Sequence, residues 1–424
     1  MSHPSPPPIA IVGGGPGGLM LASLLQTAGI EHVVFDRDIS ATPTSKFLGG
    51  TLDIHAETGQ VALRRAGLSE KFEALARRDA TTMRIQDSLG QNRVSFGEGR
   101  DAPEIDRLQL RQLLLDSIPA SRIQWNKALV AAERDGGQQH PGAGNVLLHF
   151  ADGSTQSGFR LIVGADGARS KVRRLITSAE PKYTGKMFIE GKISLDNPQY
   201  NAALEMVGAG LTLSASGKTS LVVQQTSDRT YRVYMGVQGP ETMTRAGGDI
   251  DLADTEKARV VVLERFFKDW SPALRAIIED CEGPWRAWPW CNLDPDLLWS
   301  TSDGQRNGTQ PTWERSAGVT LLGDAAHAAS PNGEGVNIAL QDALVLFECI
   351  LAEIAGESRP TGDWDVEADS AALERVCVAY EADMRPRGRK TIEEGIKSEK
   401  MIFSGISVEQ TFREMGISAK MENN

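Results

Sequence analysis

A glycine-rich turn near the N-terminus constrains the fold of this chain more than any other feature of its sequence. The apolar run Ile9–Val12 predicts a short buried strand, and Leu19–Ala28 has the apolar spacing of a helix. Gly13, Gly15 and Gly18 lie between them with the spacing G-x-G-x-x-G. In such a unit the glycines allow a tight turn, close approach of the backbone to a pyrophosphate, and close packing of the helix on the strand. The sequence therefore predicts a dinucleotide-binding βαβ unit.

An acidic residue follows the second strand of this unit. Val33–Phe35 predicts that strand, which ends at Asp36, 23 residues after Gly13. A carboxylate at this position can accept hydrogen bonds from ribose hydroxyls, and the N-terminus of the helix directs free N–H groups at a phosphate. Asp36 and the adjacent Arg37 are therefore predicted to bind the cofactor. A glycine-rich turn alone can be structural, but the strand, the helix and the acid together favour dinucleotide binding.

The composition and charge of the chain exclude several functional classes. Its 424 residues include 45 Lys and Arg against 56 Asp and Glu, a net charge of -11 that argues against a nucleic-acid or anionic-membrane surface. No apolar run of roughly 18 residues is apparent, so we expect no membrane span. The four cysteines form no C-x-x-C pair, which predicts neither a disulfide framework nor a zinc site. With no secretory signal apparent, we expect a monomeric, cytoplasmic protein.

Two later motifs also follow predicted strands. The first runs from Gly164 to Arg173 as GADGARSKVR, and the second joins GDAAH, from Gly323, to PNGEGVN, which ends at Asn337. Both resemble motifs of the class A flavoprotein monooxygenases, the aromatic-hydroxylase family. In that family the first motif lies near FAD and the nicotinamide coenzyme, and the second brings an aspartate to the FAD ribityl chain. The resemblance implies that FAD is the cofactor and that its site includes Asp166, Gly167, Asp324, Gly333, Gly335 and Asn337.

A further set of segments is similar to the tetracycline-inactivating branch of this family, the tetracycline destructases. These segments are Gly49–His55, with the sequence GGTLDIH, and Pro103–Arg107, with the sequence PEIDR. The resemblance implies that Asp53 and Arg107 contact FAD and that Lys46 meets NADPH, the co-substrate. The alternative for Arg107 and Lys46 is that both are solvated surface charges.

The chain departs from the family at several positions. Glu334 stands where the family usually has a neutral residue, and we expect its carboxylate to point into solvent. Glu190 and Tyr234 take the places of a Gln and a His that line the substrate pocket of the tetracycline-inactivating branch, so both are predicted to contact the substrate. We find no counterpart of that branch's pocket Arg near Leu211. The pocket chemistry therefore differs, which leaves tetracycline as the substrate an open question.

Strand-then-helix patterns at both ends of the chain flank a different pattern in the middle. From about Tyr183, polar and apolar residues alternate, which is typical of antiparallel strands with one face on a core. Thr255–Cys281 predicts a helix or a helix pair, and Pro386 is expected to separate a helix over Leu373–Met384 from one over Gly388–Phe403. We therefore predict an α/β fold with a Rossmann-like FAD-binding domain in residues 1–182 and 301–384, an inserted antiparallel-sheet substrate domain in residues 183–300, and a long C-terminal helix in residues 385–424.

His327 and a tryptophan cluster each allow a functional and a structural interpretation. His327 could act as a general base, but beside a flavin motif a histidine held for structural reasons is the favoured interpretation. Trp285, Trp288 and Trp290 superficially resemble the W-x-W-x-I-P signature of flavin halogenases, although their spacing differs. We interpret them as a packing cluster or a pocket wall.

The expected activity follows from the resemblance. It implies an FAD-dependent monooxygenase that uses NADPH and O₂ to hydroxylate a polycyclic aromatic, polyketide-like or tetracycline-like small molecule through a C4a-hydroperoxyflavin. Action on tetracycline would confer antibiotic resistance. Because the cofactor carries this reaction, no side chain is predicted to be the catalytic group. The alternatives are a flavin halogenase, a flavin oxidase, and a flavoprotein that sequesters a ligand without turnover.

Overall fold

The computed structural model describes residues 7–42, 49–136, 143–298, 312–355, 365–403 and 420–421. In chain order the helices are α1 (Pro16–Thr27), α2 (Gly59–Arg65), α3 (Ser69–Glu73), α4 (Arg107–Leu115), α5 (Tyr200–Val207), α6 (Thr255–Phe266), α7 (Pro272–Glu279), α8 (Asp324–His327), α9 (Gly335–Ala355) and α10 (Val366–Ile402). The strands are β1 (Ile9–Val12), β2 (His32–Phe35), β3 (Thr51–Asp53), β4 (Met83–Asp87), β5 (Val94–Phe96), β6 (Glu104–Asp106), β7 (Ile123–Gln124), β8 (Leu129–Arg134), β9 (Val146–Phe150), β10 (Thr155–Gln156), β11 (Leu161–Gly164), β12 (Lys182–Ile193), β13 (Leu211–Ala215), β14 (Ser220–Gln225), β15 (Tyr231–Gln238), β16 (Glu282–Asn292), β17 (Val319–Leu321) and β18 (Lys420–Met421).

Five parallel strands form the first sheet, in the order β17-β11-β1-β2-β7. The register pairs Ile9 with Leu161 on one side and with His32 on the other. All four residues of β1 are buried, as expected for a central parallel strand that is covered on both faces. One hydrophobic core joins this sheet to α1, α9 and α10. The glycine turn therefore begins at the end of a rigid, buried strand.

Eight strands form a second, larger sheet, in the order β16-β12-β15-β14-β13-β4-β5-β18. All neighbours in it are antiparallel except β13 and β4, which run parallel. Five of its strands come from residues 182–292, whereas β4, β5 and β18 come from elsewhere in the chain. Helices α6 and α7 share a core with this sheet through Val262, Phe267 and Ile278. The two sheets and the long helix near the C-terminus confirm the predicted fold class.

The helix α10 continues through Pro386, so the prediction of two separate helices is wrong. A proline inside a helix removes a backbone hydrogen bond and costs roughly 3 kcal/mol. Both halves of α10 are packed into the core, with Tyr380 before the proline and Ile392 after it fully buried. We infer that this packing outweighs the local cost. The helix begins at Val366, before the predicted start at residue 385, and ends at Ile402. Residues 404–419 and 422–424 of the predicted 385–424 range lie outside the described residues.

The helix α9 is long and apolar enough to cross a membrane by length and composition, contrary to the expectation that the chain has no apolar run of that length. Among the described residues it is the one such helix, with a mean hydropathy of 1.6 over Gly335–Ile354 and half of its most apolar stretch buried. It packs against α1, α2 and α10, and Asp342 within it is fully buried. These contacts are typical of the core helix of a globular domain.

Candidate functional site

The motifs that the sequence singled out meet at one edge of the parallel sheet. Strands β1, β2, β11 and β17 run in the same direction, so their carboxyl ends lie together. The glycine turn follows β1, Asp36 follows β2, Asp166 follows β11 and Asp324 lies just beyond β17. Ligands of open α/β sheets bind outside the carboxyl ends of the strands. Segments that are far apart in the chain therefore form a single site.

The glycine turn requires two of its glycines for packing and leaves the third open. Gly13 has φ 113°, and a Cβ there would lie 2.2 Å from the Ala165 carbonyl oxygen. A Cβ at Gly18 would lie 2.1 Å from the Gly13 carbonyl oxygen. Around a Cβ at Gly15, in contrast, no described atom lies within 4 Å. The first turn of α1 is thus open to an approaching anion, which its N–H groups and dipole attract.

Asp36 is held beside this turn by backbone donors. Its Oδ2 accepts a hydrogen bond from the Gly14 N–H at 2.6 Å, and its Oδ1 accepts one from the Asp38 N–H at 2.8 Å. The residue is only 8% exposed, which leaves its carboxylate in one orientation. Arg37 is exposed next to it. Lys46 lies outside the described residues, so its predicted contact with NADPH stays a prediction.

The Asp166 side chain stabilises its own turn. Its carboxylate accepts hydrogen bonds from the Ser170 hydroxyl at 2.5 Å and from the Lys171 N–H at 2.7 Å. Burial raises the pKa of Asp166 above its ordinary value, against the opposing effect of these donors. The side chain therefore shapes the loop, and Gly167 supplies its positive φ of 79°. The Asp166 carboxylate is thus occupied within its own turn, so a coenzyme would contact the backbone of this turn or the residues after Gly167.

A cleft of about 980 Å³ connects this edge to the large sheet. Gly49, Gly50, Arg107 and Asp324 line one side of it. The Arg107 side chain is exposed, and its guanidinium has no hydrogen-bond partner within the described part of the chain. Burial raises the pKa of Asp324 above its ordinary value, and the nearby Arg107 charge partly opposes that rise. The volume is at the upper end of the usual range for small-molecule pockets. An unpaired guanidinium in such a cleft fits a ligand that accepts hydrogen bonds, as the resemblance implies for Arg107.

Aromatic side chains of three adjacent strands form the opposite wall of the cleft. Phe188 on β12, Tyr234 on β15 and Trp290 on β16 all line it. The Phe188 ring lies 5.6 Å from that of Tyr234 and 4.8 Å from that of Trp290, centroid to centroid. Trp288 also lines the cleft, whereas Trp285 is buried in the core beneath the sheet. The tryptophan segment is thus both the pocket wall and the packing cluster that its sequence indicated.

Glu190 brings a carboxyl group into this aromatic wall. The residue is 1% exposed, and its Oε2 accepts a hydrogen bond from the Trp288 Nε1–H at 2.6 Å. Its Oε1 is buried and has no hydrogen-bond partner among the described residues. Burial and the nearby Glu190 charge raise the pKa of Tyr234 well above its ordinary value, so the phenol stays protonated. The two predicted substrate residues are therefore adjacent, and one of them offers an unused acceptor.

Asn337 joins the start of α9 to β3. Its side-chain oxygen accepts a hydrogen bond from the His55 N–H at 2.8 Å, and its amide donates one to the Asp53 carbonyl at 2.9 Å. Asn337 is fully buried and fixes these two segments to each other, and its predicted contact with FAD stays a prediction. Gly333 and Gly335 are both exposed next to it. The backbone of this loop, rather than the Asn337 side chain, is what faces outward.

His55 lies between two carboxylates, which the sequence analysis did not anticipate. Its Nε2 lies 2.9 Å from Asp53 Oδ2, and its Nδ1 lies 3.3 Å from Glu334 Oε2. The hydrogen bonds to Asp53 and Glu334 raise the pKa of His55 to about 9. Glu334, which was expected to point into solvent, has a side chain that is 35% exposed, and its carboxylate also faces the imidazolium. Asp53 additionally accepts a hydrogen bond from Arg100 at 2.8 Å.

A buried ion-pair network supports the turn that presents Asp324. Asp342 on α9 accepts hydrogen bonds from the Gly323 N–H at 2.8 Å, from His327 Nε2 at 2.7 Å and from Arg387 at 2.8 Å. The Asp342 charge raises the pKa of His327 despite complete burial of the imidazole. His327 is therefore a structural histidine, in agreement with the favoured interpretation. Asp342 and Arg387 have no motif in the sequence that could have marked them.

Glu104 connects the β3–β6 pair to the large sheet. Its Oε2 accepts hydrogen bonds from the Thr51 hydroxyl and from Arg77, and its Oε1 accepts one from Gln224 on β14. Burial raises the pKa of this carboxyl to about 7. Arg77 also donates a hydrogen bond to the backbone of Gln225. The Arg77–Glu104 pair therefore holds the side of the cleft that contains Gly50 against the large sheet. Only the tertiary structure shows this connection, since Glu104 lies in an ordinary strand pattern.

Comparison with known proteins decides the family. The profile of the family described as FAD binding domain matches residues 7–206 and 292–367. The chain belongs to this family of class A flavin monooxygenases. Monooxygenase penA of Penicillium thymicola is 30% identical over 425 residues, which cover 91% of this chain and 93% of penA. The protein is therefore an FAD-dependent monooxygenase of the aromatic-hydroxylase kind, which confirms the predicted resemblance.

Two solved structures illustrate the shared fold of the family. HpxO of Klebsiella pneumoniae in complex with FAD and uric acid has a TM-score of 0.67 at 22% identity, covering 96% of this chain and 91% of HpxO. The tetracycline destructase Tet(51) has a TM-score of 0.64 at 16% identity, covering 97% of this chain and 95% of that one. At these identities the likeness establishes the fold alone. Tetracycline destructases are thus among the proteins with this architecture.

The residues at the sheet edge fit FAD. The open first turn of α1 at Gly15 leaves room for a pyrophosphate, and the oriented carboxylate of Asp36 suits a ribose. The unpaired Arg107 guanidinium and the exposed loop at Gly333 and Gly335 provide further donors along the same edge. These positions are already open, so the cofactor can bind there without displacing a buried side chain.

Proposed function

We propose that the enzyme uses NADPH and O₂ to hydroxylate a polycyclic aromatic molecule that carries a phenol or enol, as many polyketides do. The observation that carries this proposal is the unpartnered Glu190 Oε1 in an aromatic cleft wall. A buried acceptor without a partner costs free energy, which a donor O–H or N–H of a substrate would recover. The rings of Phe188, Trp288 and Trp290 suit a flat apolar ligand.

The residues of the chain have separate tasks in this reaction. When bound, FAD supplies the redox chemistry, taking electrons from NADPH and activating O₂. Gly15, Asp36 and Arg107 bind and orient it. The large sheet covers the cleft and excludes water from the reacting atoms. Glu190 accepts a hydrogen bond from the substrate hydroxyl, which orients the ring and increases electron density at its carbon atoms.

Cations at the mouth of the cleft support NADPH as the reductant. Three cations follow the turn at Asp166 and Gly167 and line the cleft: Arg169, Lys171 and Arg174. Two of them form exposed ion pairs, Arg169 with Glu241 at 2.9 Å and Arg174 with Glu180 at 3.1 Å, and exposed pairs of this kind are weak. The 2′-phosphate, which NADPH has and NADH lacks, can therefore replace these carboxylates at little cost, and this supports NADPH as the reductant.

The decisive experiment measures ligand-stimulated oxygen use. The purified protein should be yellow, and 2-naphthol or a larger polycyclic phenol should accelerate NADPH oxidation with matching O₂ consumption and a hydroxylated product. Tetracycline belongs in the same ligand panel. A product that forms only with chloride would indicate a halogenase, and turnover without NADPH would indicate an oxidase. Quenching of flavin fluorescence without any stimulated NADPH oxidation would indicate a sequestering protein.

Glu190 provides a prediction about substrate recognition. Replacing it with leucine should raise the KM for a phenolic substrate roughly 10- to 100-fold, since hydrogen bonds to charged groups contribute about 1.5–3 kcal/mol. FAD content should not change, because Glu190 lies on the sheet side of the cleft. Steady-state NADPH oxidation with 2-naphthol and with its methyl ether tests this. Equal losses for both compounds would contradict a hydrogen bond from the phenol.

A further inference from the structure

The loop that precedes α9 carries a carboxylate at a position where a negative charge is unfavourable. Gly333 and Gly335 expose the backbone next to the first turn of α9, where N–H groups and the helix dipole favour an electron-rich ligand. Glu334 lies between these two glycines. A carboxylate that projected toward the ligand would repel negative charge there. The structure shows instead that this carboxylate is turned to His55.

His55 is held in place from its backbone as well as from its ring. Its N–H donates to Asn337 at 2.8 Å, and its carbonyl accepts the Gln60 N–H at 3.0 Å. The ring contacts Asp53 on one side and Glu334 on the other. The backbone of His55 is therefore fixed between α2 and the start of α9, and the contact with Asp53 holds its ring toward Glu334.

Four charges alternate in sign along this cluster. Arg100 contacts Asp53, Asp53 contacts His55, and His55 contacts Glu334. Two other charged groups lie nearby. Glu104 is opposite Asp53 in the register of the antiparallel strands β3 and β6, and Glu57 is exposed two residues after His55. With His55 protonated the four charges cancel. With His55 neutral, Asp53 and Glu334 would leave a net negative charge beside the cofactor loop.

We propose that His55, as the imidazolium, is a positioning residue for FAD. The His55 ring turns the Glu334 carboxylate away from the side of the loop that binds the cofactor and neutralises its charge. The same contact holds the loop against β3. The loop can then bind the electron-rich end of the cofactor although it contains an acidic residue. This role concerns cofactor binding alone and does not depend on the identity of the substrate or of the reductant.

The proposal has a pH dependence of definite sign. The folded-state pKa of His55, about 9, exceeds the ordinary value of 6.5, because both carboxylates favour the protonated ring. The stabilisation is therefore complete below about pH 6.5 and is lost as the pH rises through about 9. FAD affinity should fall over the same interval, and only while both His55 and Glu334 are present.

The test compares FAD release and reduction potential in matched variants. The holoenzyme of the unaltered chain, His55→Gln, Glu334→Gln and the double variant is diluted at pH 6 to 10, and free FAD is followed by its fluorescence. Glu348→Gln is the control, since this exposed glutamate lies on α9 and pairs with Arg65 at 2.7 Å. The reduction potential of bound FAD is measured for each variant with a redox dye.

The charge role predicts opposite effects of the two single substitutions. His55→Gln should weaken FAD binding about tenfold at pH 7, which is about 1.4 kcal/mol, and should lower the potential. Glu334→Gln should bind FAD as tightly as the unaltered chain at pH 7, keep that affinity at pH 9–10 and raise the potential. The double variant should bind within about threefold of the unaltered chain, since both opposing charges are gone.

Three outcomes would overturn the proposal. They are a loss of affinity in Glu334→Gln as large as in His55→Gln, a double variant no better than His55→Gln, and potentials that do not differ. If His55→Gln fails to fold, the pH profiles of the unaltered chain and of Glu334→Gln still decide, because equal losses above pH 8 in both would contradict the charge role.

Discussion

Gly18→Ala is expected to produce a colourless, strongly destabilised protein. The added methyl group would lie 2.1 Å from the Gly13 carbonyl oxygen, so α1 could not stay against β1. Overpacking of this kind costs about 1–3 kcal/mol when side chains can adjust, and here the obstacle is backbone. We expect the free energy of unfolding to fall by more than about 3 kcal/mol and FAD to be lost on purification. Urea unfolding and the flavin absorbance of the purified protein measure these two effects.

Gly15→Ala separates cofactor binding from folding at the same turn. A Cβ at Gly15 meets no described atom within 4 Å, and the residue has φ −76°, which alanine adopts without strain. The free energy of unfolding of this variant should lie within about 1 kcal/mol of that of the unaltered chain. Its affinity for FAD should fall, because the methyl group occupies the space above the first turn of α1. Equal stabilities of Gly18→Ala and Gly15→Ala would show that the helix is free to move away from the strand.

Asp342→Asn is expected to have the second largest effect. Asp342 is fully buried and accepts hydrogen bonds from Gly323, His327 and Arg387. Removing its charge leaves the buried His327 without its anion and Arg387 with the exposed Asp383 alone, and breaking a buried ion pair in this way typically costs about 3–5 kcal/mol. The turn that presents Asp324 would lose its anchor, so FAD retention should fall as well. Urea unfolding at pH 7 and flavin content measure the two consequences.

Asp383→Asn is the matched control for this prediction. Asp383 pairs with the same Arg387 but is 52% exposed, and exposed ion pairs contribute about 0–1 kcal/mol. Its removal should therefore leave both stability and flavin content almost unchanged. A loss in Asp342→Asn no greater than in Asp383→Asn would mean that water enters the site and solvates His327.

The cofactor half of the site could be predicted from the sequence because it depends on local backbone geometry. Gly13 and Gly18 lie where a side chain would clash with the backbone, and Gly15 lies where the first turn of α1 must stay open. Asp36 directly follows the next strand. Such requirements act within a few residues, so they leave a pattern in the chain. The order of the motifs then placed them at one edge of a parallel sheet.

The substrate-binding residues of the site could be predicted only from the resemblance to a known family, which indicated individual positions. Glu190 and Tyr234 lie in strands whose alternation shows which face is buried but not what faces them. Their adjacency depends on the register of β12 with β15, and the unpartnered Glu190 oxygen depends on where the Trp288 ring points. Neither fact is a property of one segment.

The sequence by itself determined the parallel-sheet framework and the dinucleotide-binding turn, since both follow from local chain geometry. FAD as the cofactor and the class of enzyme came from the resemblance of its motifs to a known family. The tertiary structure alone decided the direction of Glu334, the continuity of α10 through Pro386, and the role of Asp342. In each case the deciding partner is distant in the chain: His55 for Glu334, the core for α10, and His327 with Arg387 for Asp342. Charge pairing and burial act through space, and their strength depends on distances that the order of residues does not contain.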